Sequence, residues 1–312
     1  MTEKPLVSVI INCYNSEKYL RETIDSLVAQ TYTNWEAIFW DNCSTDKTAE
    51  IIASYGDSRF RYFLAEKNTP LGEARNLAME KIQGVYFCFL DSDDLWTEDF
   101  LRIGVSSINS EKECVGFYCN YYNWYDGITK KENNNGWISG RHDLKYVLQF
   151  YGIAMSGAIC VTAIAKKNNL LFSQHYQLVE DMDFFVRLLQ YGYFCYDSRP
   201  LTYYRVYTDN TTHKMRNRWA VEYHDLYDRL YELLINTNDP KITKNDLNYI
   251  KIQEISCRAE DLITQNKRKE LLQLLYNSRG IMPFRYIWSR IVFILTGKIG
   301  YNIINKVKES IR

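Results

Sequence analysis

Between residues 7 and 90 the hydrophobic pattern changes period again and again, and this alternation limits the fold more than any other feature. Val7 to Ile11 is a β-branched apolar run set between Pro5 and Asn12, as in a buried strand. Leu20, Ile24, Leu27 and Val28 then recur at helical spacing, with Asn15 or Ser16 placed to cap the helix. Trp35 to Trp40 reads as a second strand ending at Asp41, and Ser44 or Thr45 opens a short helix through Ile51 and Ile52. Phe60 to Leu64 is a third strand, followed by a helix that Pro70 and Leu71 open and that carries Ala74, Leu77 and Ala78 on one face. Val85 to Leu90 is a fourth strand, ending at Asp91. Strand and helix in strict succession predict an α/β fold, a mostly parallel twisted sheet with helices on both faces. Ligands of such sheets bind beyond the carboxyl ends of the strands. Three polar segments fall on that rim: Asn12 to Asn15, Asp41 to Ser44 and Asp91 to Asp94.

Composition narrows the function. In the 312 residues, 38 Lys and Arg balance 38 Asp and Glu, so no general basic excess exists to bind nucleic acid. Eight cysteines contain no CxxC pair and there are four histidines, which argues against a zinc framework. Cys13, Cys88 and Cys160 lie within apolar runs, the usual setting of buried reduced thiols, and a cytoplasmic protein is expected. The opening MTEKPLVSVII is too quickly polar for a signal peptide, and the strongly apolar run Ile291 to Leu295 is far too short to span a membrane. Neither GxGxxG after the first strand nor GxxxxGKS/T is present, so a glycine-rich loop does not cradle the ligand's phosphates.

Asp91-Ser92-Asp93-Asp94 offers another way to neutralise phosphate. Three carboxylates in four residues repel one another unless water or a divalent cation screens them. Hard oxygen donors suit Mg²⁺ or Mn²⁺. The plainer reading is a surface turn with Asp94 capping the next helix. Glu180-Asp181-Met182-Asp183 precedes an apolar helical face. It reads either as favourable charge at a helix start or as a general base on a rigid element.

Taken in order, these segments resemble the inverting, GT-A-fold glycosyltransferases of family 2, which use nucleotide-diphospho-sugars. Val7 to Asn15 is similar to the family's opening strand and PxYN motif, and Phe39 to Asp46 to its DDGSxD motif. Gly72-Glu73-Ala74-Arg75-Asn76 resembles the GxxxARN helix start, and Phe89 to Asp94 the FLDxDD metal motif. Glu180-Asp181 resembles the late ED motif, and Tyr204 to Tyr207 the YRxH-like segment. The motifs cover residues 5 to 210. The resemblance implies Asp181 as catalytic base and Asp93 as metal holder, with Asp91 and His213 as further candidates. It implies a donor site of Asn12, Tyr14, Asp41, Asn42, Arg75, Asp91 and Ser92. Tyr14 would flank the nucleobase and Asp41 would accept from its edge. Departures occur at Asn12, where proline is usual, at Asn42, where aspartate is usual, at Cys43, where glycine is usual, and at Tyr207, where histidine is often seen. A Cβ at Cys43 opposes a left-handed turn, so either the turn differs or strain is accepted.

The chemistry this implies is a metal-assisted single displacement. A UDP-sugar is the expected donor, and the acceptor is a hydroxyl of a glycan or lipid-linked saccharide. Tyr118, Tyr121, Tyr122, Trp124, Tyr125 and Trp137 mark the expected acceptor side, where Trp124, Trp137 and Glu180 are the candidates. Alternatives are a non-catalytic nucleotide-sugar or glycan-binding module and a sugar nucleotidyltransferase. The expected domains are a catalytic one, 1–213, with a nucleotide-sugar half 1–110 and an acceptor half 111–213, and a helical extension, 214–312, able to dimerise or to associate with membrane. Six basic residues and a Trp/Ile-rich side in 285–312 suit an anionic membrane surface, which predicts peripheral attachment at the inner face.

Overall fold

The computed structural model describes residues 4–125, 128–130, 137–207, 215–235, 242–283, 287 and 290–291. The chain divides into two units, one of Met1–Val147 with Tyr151–Asn210 and one of Leu148–Phe150 with Thr211–Arg312. The segment 208–214, where the sequence placed its boundary, lies outside the described residues.

The first unit is built on strands β1 (Val7–Cys13), β2 (Trp35–Asp41), β3 (Phe60–Leu64) and β4 (Tyr86–Phe89). They run parallel in the order β3-β2-β1-β4. The order reverses at β1, which puts the switch point between β1 and β4. The remaining strands are β5 (Leu95–Trp96), β6 (Cys114–Tyr125), β7 (Ile128–Lys130), β8 (Gly140–His142), β9 (Ala158–Val161) and β10 (Tyr193–Arg205). β9 lies antiparallel between β4 and β6, and β10 runs parallel to β6. The expected mostly parallel, helix-flanked sheet is therefore the observed one.

Alternation along β1 divides the two faces. Val7, Val9, Ile11 and Cys13 join one core with Leu20, Ile24 and Leu27 of α1 (Leu20–Val28) and Phe100 and Leu101 of α4 (Phe100–Asn109). The opposite face receives α3 (Leu71–Met79), which packs on β1 and β2. Gly72 permits the approach of a neighbouring loop, because a Cβ there would lie 2.3 Å from the Ser173 carbonyl oxygen. The other helices of this unit are α2 (Thr48–Ala53), α6 (Thr162–Lys167) and α7 (Glu180–Leu188), while α5 (Leu144–Gln149) spans both units in sequence.

Helix starts differ from the sequence reading. No side chain caps α1; Asn15 instead takes a left-handed φ of 50° and its Oδ1 accepts the Thr45 N–H at 2.8 Å. The loop after β1 thus uses its polar side chains to tie neighbouring loops together. α2 begins at Thr48, not at Ser44 or Thr45, with the Asp46 carboxylate accepting the Thr48 N–H at 3.0 Å. α4 begins after Asp99, and Asp94 is buried before β5. Cys43 has a φ of 68°, so the turn is kept despite its Cβ.

The second unit is helical. It contains α8 (Trp219–Leu230), continued by a π-helical turn Tyr231–Ile235, then α9 (Asn248–Thr264) and α10 (Arg268–Asn277). Ala259, Ile263, Leu271 and Leu275 form a small core between α9 and α10. Among the described residues no helix is long and apolar enough to cross a membrane. Most of the basic C-terminal segment 285–312, on which the expected membrane attachment rests, lies outside the described residues.

Candidate active site

The acidic turn after β4 is held by residues far along the chain. The Asp91 N–H donates to Ser156 Oγ at 3.1 Å, and that hydroxyl donates to Asp94 Oδ2 at 2.7 Å. Asp94 Oδ1 accepts the Arg205 N–H at 2.9 Å. Burial first, then the charges of Asp93 and Asp91, push the Asp94 carboxyl well above the usual range. Asp94 is therefore the inward bolt of the turn. Asp93 is half-buried, and its Oδ2 accepts the Tyr207 hydroxyl at 2.8 Å. Burial and then the neighbouring Asp91 push its carboxyl up to about 6. Burial and the Asp93 charge also raise the Tyr207 phenol, which keeps it a donor. Ser92 Oγ meets Ser16 Oγ at 2.9 Å and ties the turn to the loop after β1.

Arg205 locks this arrangement from behind. Its Nε donates to the Asp93 carbonyl at 2.7 Å, and its guanidinium pairs with Glu22 at 3.0 Å. The same cation lies 4.1 Å from the Tyr19 ring centroid and 4.0 Å from that of Trp124. Trp124, expected on the acceptor side, thus packs on Arg205.

α3 and α7 bring the second charged group together. Arg75, 3% exposed, pairs with Glu180 at 2.6 Å and reaches Asp91 at 3.4 Å. Burial works against the Arg75 cation, but Glu180, Asp91 and Asp181 outweigh it and the guanidinium is held more firmly protonated. Asp181, one residue into α7, is half-buried. Burial and then Glu180 push its carboxyl up to about 7, opposed by Arg75, the Met182 N–H and the Tyr151 hydroxyl. A carboxyl so placed is ready to exchange a proton near neutrality. Beside it Arg75 Nε and Glu180 Oε2 are buried without hydrogen-bond partners, and so are both amide atoms of Asn12 at the end of β1. Buried polar atoms left in this state are costly unless a ligand completes them.

On the β2 side, Asp41 is 1% exposed. Its Oδ1 accepts the Ser44 N–H at 2.7 Å and its Oδ2 the Tyr62 hydroxyl at 2.6 Å. The Asn42 amide is engaged as well, donating to the Thr69 carbonyl at 2.7 Å and accepting its N–H at 3.1 Å. Both residues brace the loops of the rim, while Tyr14 stands 57% exposed beside them. Trp137 lies in an aromatic nest with Tyr146 and Tyr196, its ring filling the space a Cβ at Gly152 would need. His213 lies outside the described residues. Among the described residues no three His, Cys, Asp or Glu side chains converge as a ready-made metal site; Asp91 and Asp93 offer two carboxylates. Sequence reasoning missed the structural parts played by Tyr62, Tyr151 and Ser156, none of which carries a local signal. Arg205 stood within the quoted YRxH-like segment, but without a role.

Comparison with known proteins follows the same outline. The family model described as glycosyl transferase family 2 matches residues 8–167. TuaG of Bacillus subtilis (strain 168), ascribed to teichuronic acid biosynthesis, is 40% identical over 120 residues, 38% of this chain. The chain spans 47% of that relative's length. WfaP of Escherichia coli, named a UDP-Glc:α-D-GlcNAc-diphosphoundecaprenol β-1,3-glucosyltransferase, is 32% identical over 210 residues, 66% of this chain and 80% of WfaP. Among solved structures, residues 1–349 of S. aureus TarS with UDP-GlcNAc superpose with a TM-score of 0.69, 19% identity and coverage of 97% of this chain and 91% of that one. At that identity the likeness is one of fold.

Proposed function

The chain belongs to glycosyl transferase family 2, and from that premise we propose that it inverts the anomeric centre as it moves a hexosyl group from a UDP-sugar to a hydroxyl of a lipid-linked saccharide. The observation that carries this reading is Asp181, a half-buried carboxyl pushed up to about 7 beside Arg75 and Glu180. In its ionised form it accepts the proton of the acceptor hydroxyl as that oxygen attacks the anomeric carbon. One base and one displacement invert that carbon, so an α-linked donor gives a β-glycoside. WfaP, whose printed name specifies UDP-Glc and a diphosphoundecaprenol-linked acceptor, supports the donor and acceptor classes.

Asp91 and Asp93 fit a divalent cation. Both are hard oxygen donors, and burial and Asp91 push the Asp93 carboxyl up to about 6 against the opposing pull of the Tyr207 hydroxyl and Arg205. Asp91 and Asp93 would hold Mn²⁺ or Mg²⁺, which would neutralise charge on the departing diphosphate. Arg75 adds a fixed cation beside Asp91. Glu180 Oε2 on the acceptor side and the Asn12 amide on the donor side lack a protein hydrogen-bond partner and would take sugar hydroxyls. The protein would work in the cytoplasm, with its basic C-terminal segment against an anionic membrane surface. Deleting residues 281–312 should then reduce co-sedimentation with anionic liposomes. Unchanged sedimentation removes that part.

A screen of nucleotide-sugars for release of nucleoside diphosphate, followed by NMR of the product's anomeric proton, tests the main reading. A retained anomeric configuration would overturn it, as would Asp181→Asn transferring sugar at the wild-type rate.

A further inference from the structure

Asp93 is one of the two carboxylates assigned to the cation, and its orientation depends on a residue 114 positions away, Tyr207. The backbone of the acidic turn is already fixed. The Asp94 N–H donates to the Asp91 carbonyl at 3.0 Å, and the Asp93 carbonyl accepts Arg205 Nε at 2.7 Å. These bonds do not reach the Asp93 carboxylate, which has its own backbone N–H and one further donor. The Tyr207 hydroxyl, donating to Oδ2 at 2.8 Å, is that further donor.

The Tyr207 ring has its own seat. It lies 5.2 Å from the Tyr19 ring, and the Lys18 ammonium stands 4.6 Å from the Tyr19 centroid and 5.6 Å from that of Tyr207. Tyr19 in turn stacks on the Arg205 guanidinium at 4.1 Å. β10 ends at Arg205, so Tyr207 leaves the sheet from an anchored point. Lys18, Tyr19, Tyr207 and Asp93 form a column running from the loop before α1 to the acidic turn. A carboxylate whose outer oxygen is held by a fixed donor is the arrangement that raises metal affinity without adding a ligand.

We infer that Tyr207 is the positioning residue of the divalent-cation site: its hydroxyl fixes the Asp93 carboxylate, and its side chain borders the cation. This rests on the reading that Asp93 meets a cation. It gives Tyr207 a role that the acidic motif alone does not contain. It also leaves the donor set all oxygen, which suits Mg²⁺ and Mn²⁺ and gives Zn²⁺ no nitrogen to favour it.

Electron paramagnetic resonance of free Mn²⁺ during titration of the full chain, with UDP present, reads the cation affinity directly. Calorimetry of UDP binding without cation serves as the internal reference. Tyr207→Phe keeps the ring on Tyr19 and removes only the donor. It should weaken Mn²⁺ by about tenfold and leave cation-free UDP binding unchanged. Unaltered Mn²⁺ affinity overturns the inference, as does an equal loss of cation-free UDP binding, which marks a packing role. Tyr207→His places a nitrogen at the same position and should move the competition between Zn²⁺ and Mg²⁺ towards Zn²⁺. An unchanged order shows that position 207 does not border the cation. A wild-type protein that takes up UDP but no Mn²⁺ is a separate result, which removes the cation reading of Asp93 itself.

Discussion

The two rims of the parallel strands treat buried polar groups in opposite ways. At the amino rim Ser8 Oγ donates to Glu36 at 2.6 Å and accepts the Gly84 N–H at 2.8 Å, while the other Glu36 oxygen meets Arg61 at 2.5 Å. Each of these side chains is partnered by protein. At the carboxyl rim the same strands end beside Asn12, Arg75 Nε and Glu180 Oε2, buried without hydrogen-bond partners. Burial and a neighbouring carboxylate, Asp91 and Glu180 respectively, also raise Asp93 and Asp181 there, to about 6 and about 7. The Ser8–Glu36–Arg61 network at the first rim is closed and stabilises the fold, although the Trp35 indole N–H beside it has no hydrogen-bond partner. The other leaves bonding capacity open and destabilises the free protein, as a site waiting for a charged, hydroxyl-rich ligand should.

Four substitutions can break or sharpen that contrast. Asp181→Asn should lower transfer by about 10³-fold while UDP binding, measured by calorimetry, persists. Loss of both together would place Asp181 in the scaffold. Next comes Glu36→Ala at the closed rim, which removes the acceptor of the Ser8 hydroxyl, the ion partner of Arg61 and one of the two acceptors of the Gln83 N–H. Urea denaturation should show a loss of about 2–3 kcal/mol, with nucleotide affinity of the folded fraction unchanged.

Asp93→Asn should act in the other direction. The folded value of about 6 lies above the ordinary carboxylate value, so the folded state binds this proton more tightly than the unfolded one. The contribution of Asp93 to stability is therefore greatest below about pH 4 and falls as pH rises through 6. Removing the charge should stabilise the cation-free protein by about 1 kcal/mol at pH 7.5, and the two proteins should converge near pH 4 in thermal melts. A destabilised variant at pH 7.5 would contradict the open-rim picture.

The smallest effect is a shift in pH dependence. Asp181 must be ionised to act as base, so kcat/KM should fall as pH drops through about 7. Glu180→Gln removes the neighbouring charge that raises Asp181 and leaves Arg75 and the Tyr151 hydroxyl, which lower it. The acid limb should move down by about half a pH unit. An upward move would mean that the Glu180–Arg75 pair governs the site in another way.

The sheet was legible because its signals are local. Phe60 to Leu64 matches β3 residue for residue, and the apolar stripe from Leu20 to Leu27 lies on the buried face of α1. The acidic motif was legible as a motif, but spacing could not say which carboxylate turns inward. Asp94 is chosen by Ser156 and Arg205, 62 and 111 residues further on. Asp41 and Asn42 were read as facing a ligand, yet Tyr62 and Thr69 draw them into the loops, contacts that appear only when β3 docks beside β2. Trp137 was read as a sugar platform from its residue type, and its place against Gly152 and Tyr196 depends on long-range packing.

The hold of Arg205 on the acidic turn also sets an order of assembly. The four parallel strands are complete by residue 89, but the turn that follows them receives its last anchors only when β10 arrives with Arg205. Contacts of such sequence separation form late. A chain still leaving the ribosome at residue 200 would have its four parallel strands, all three aspartates of the turn and Ser156, but not yet the guanidinium that closes over them.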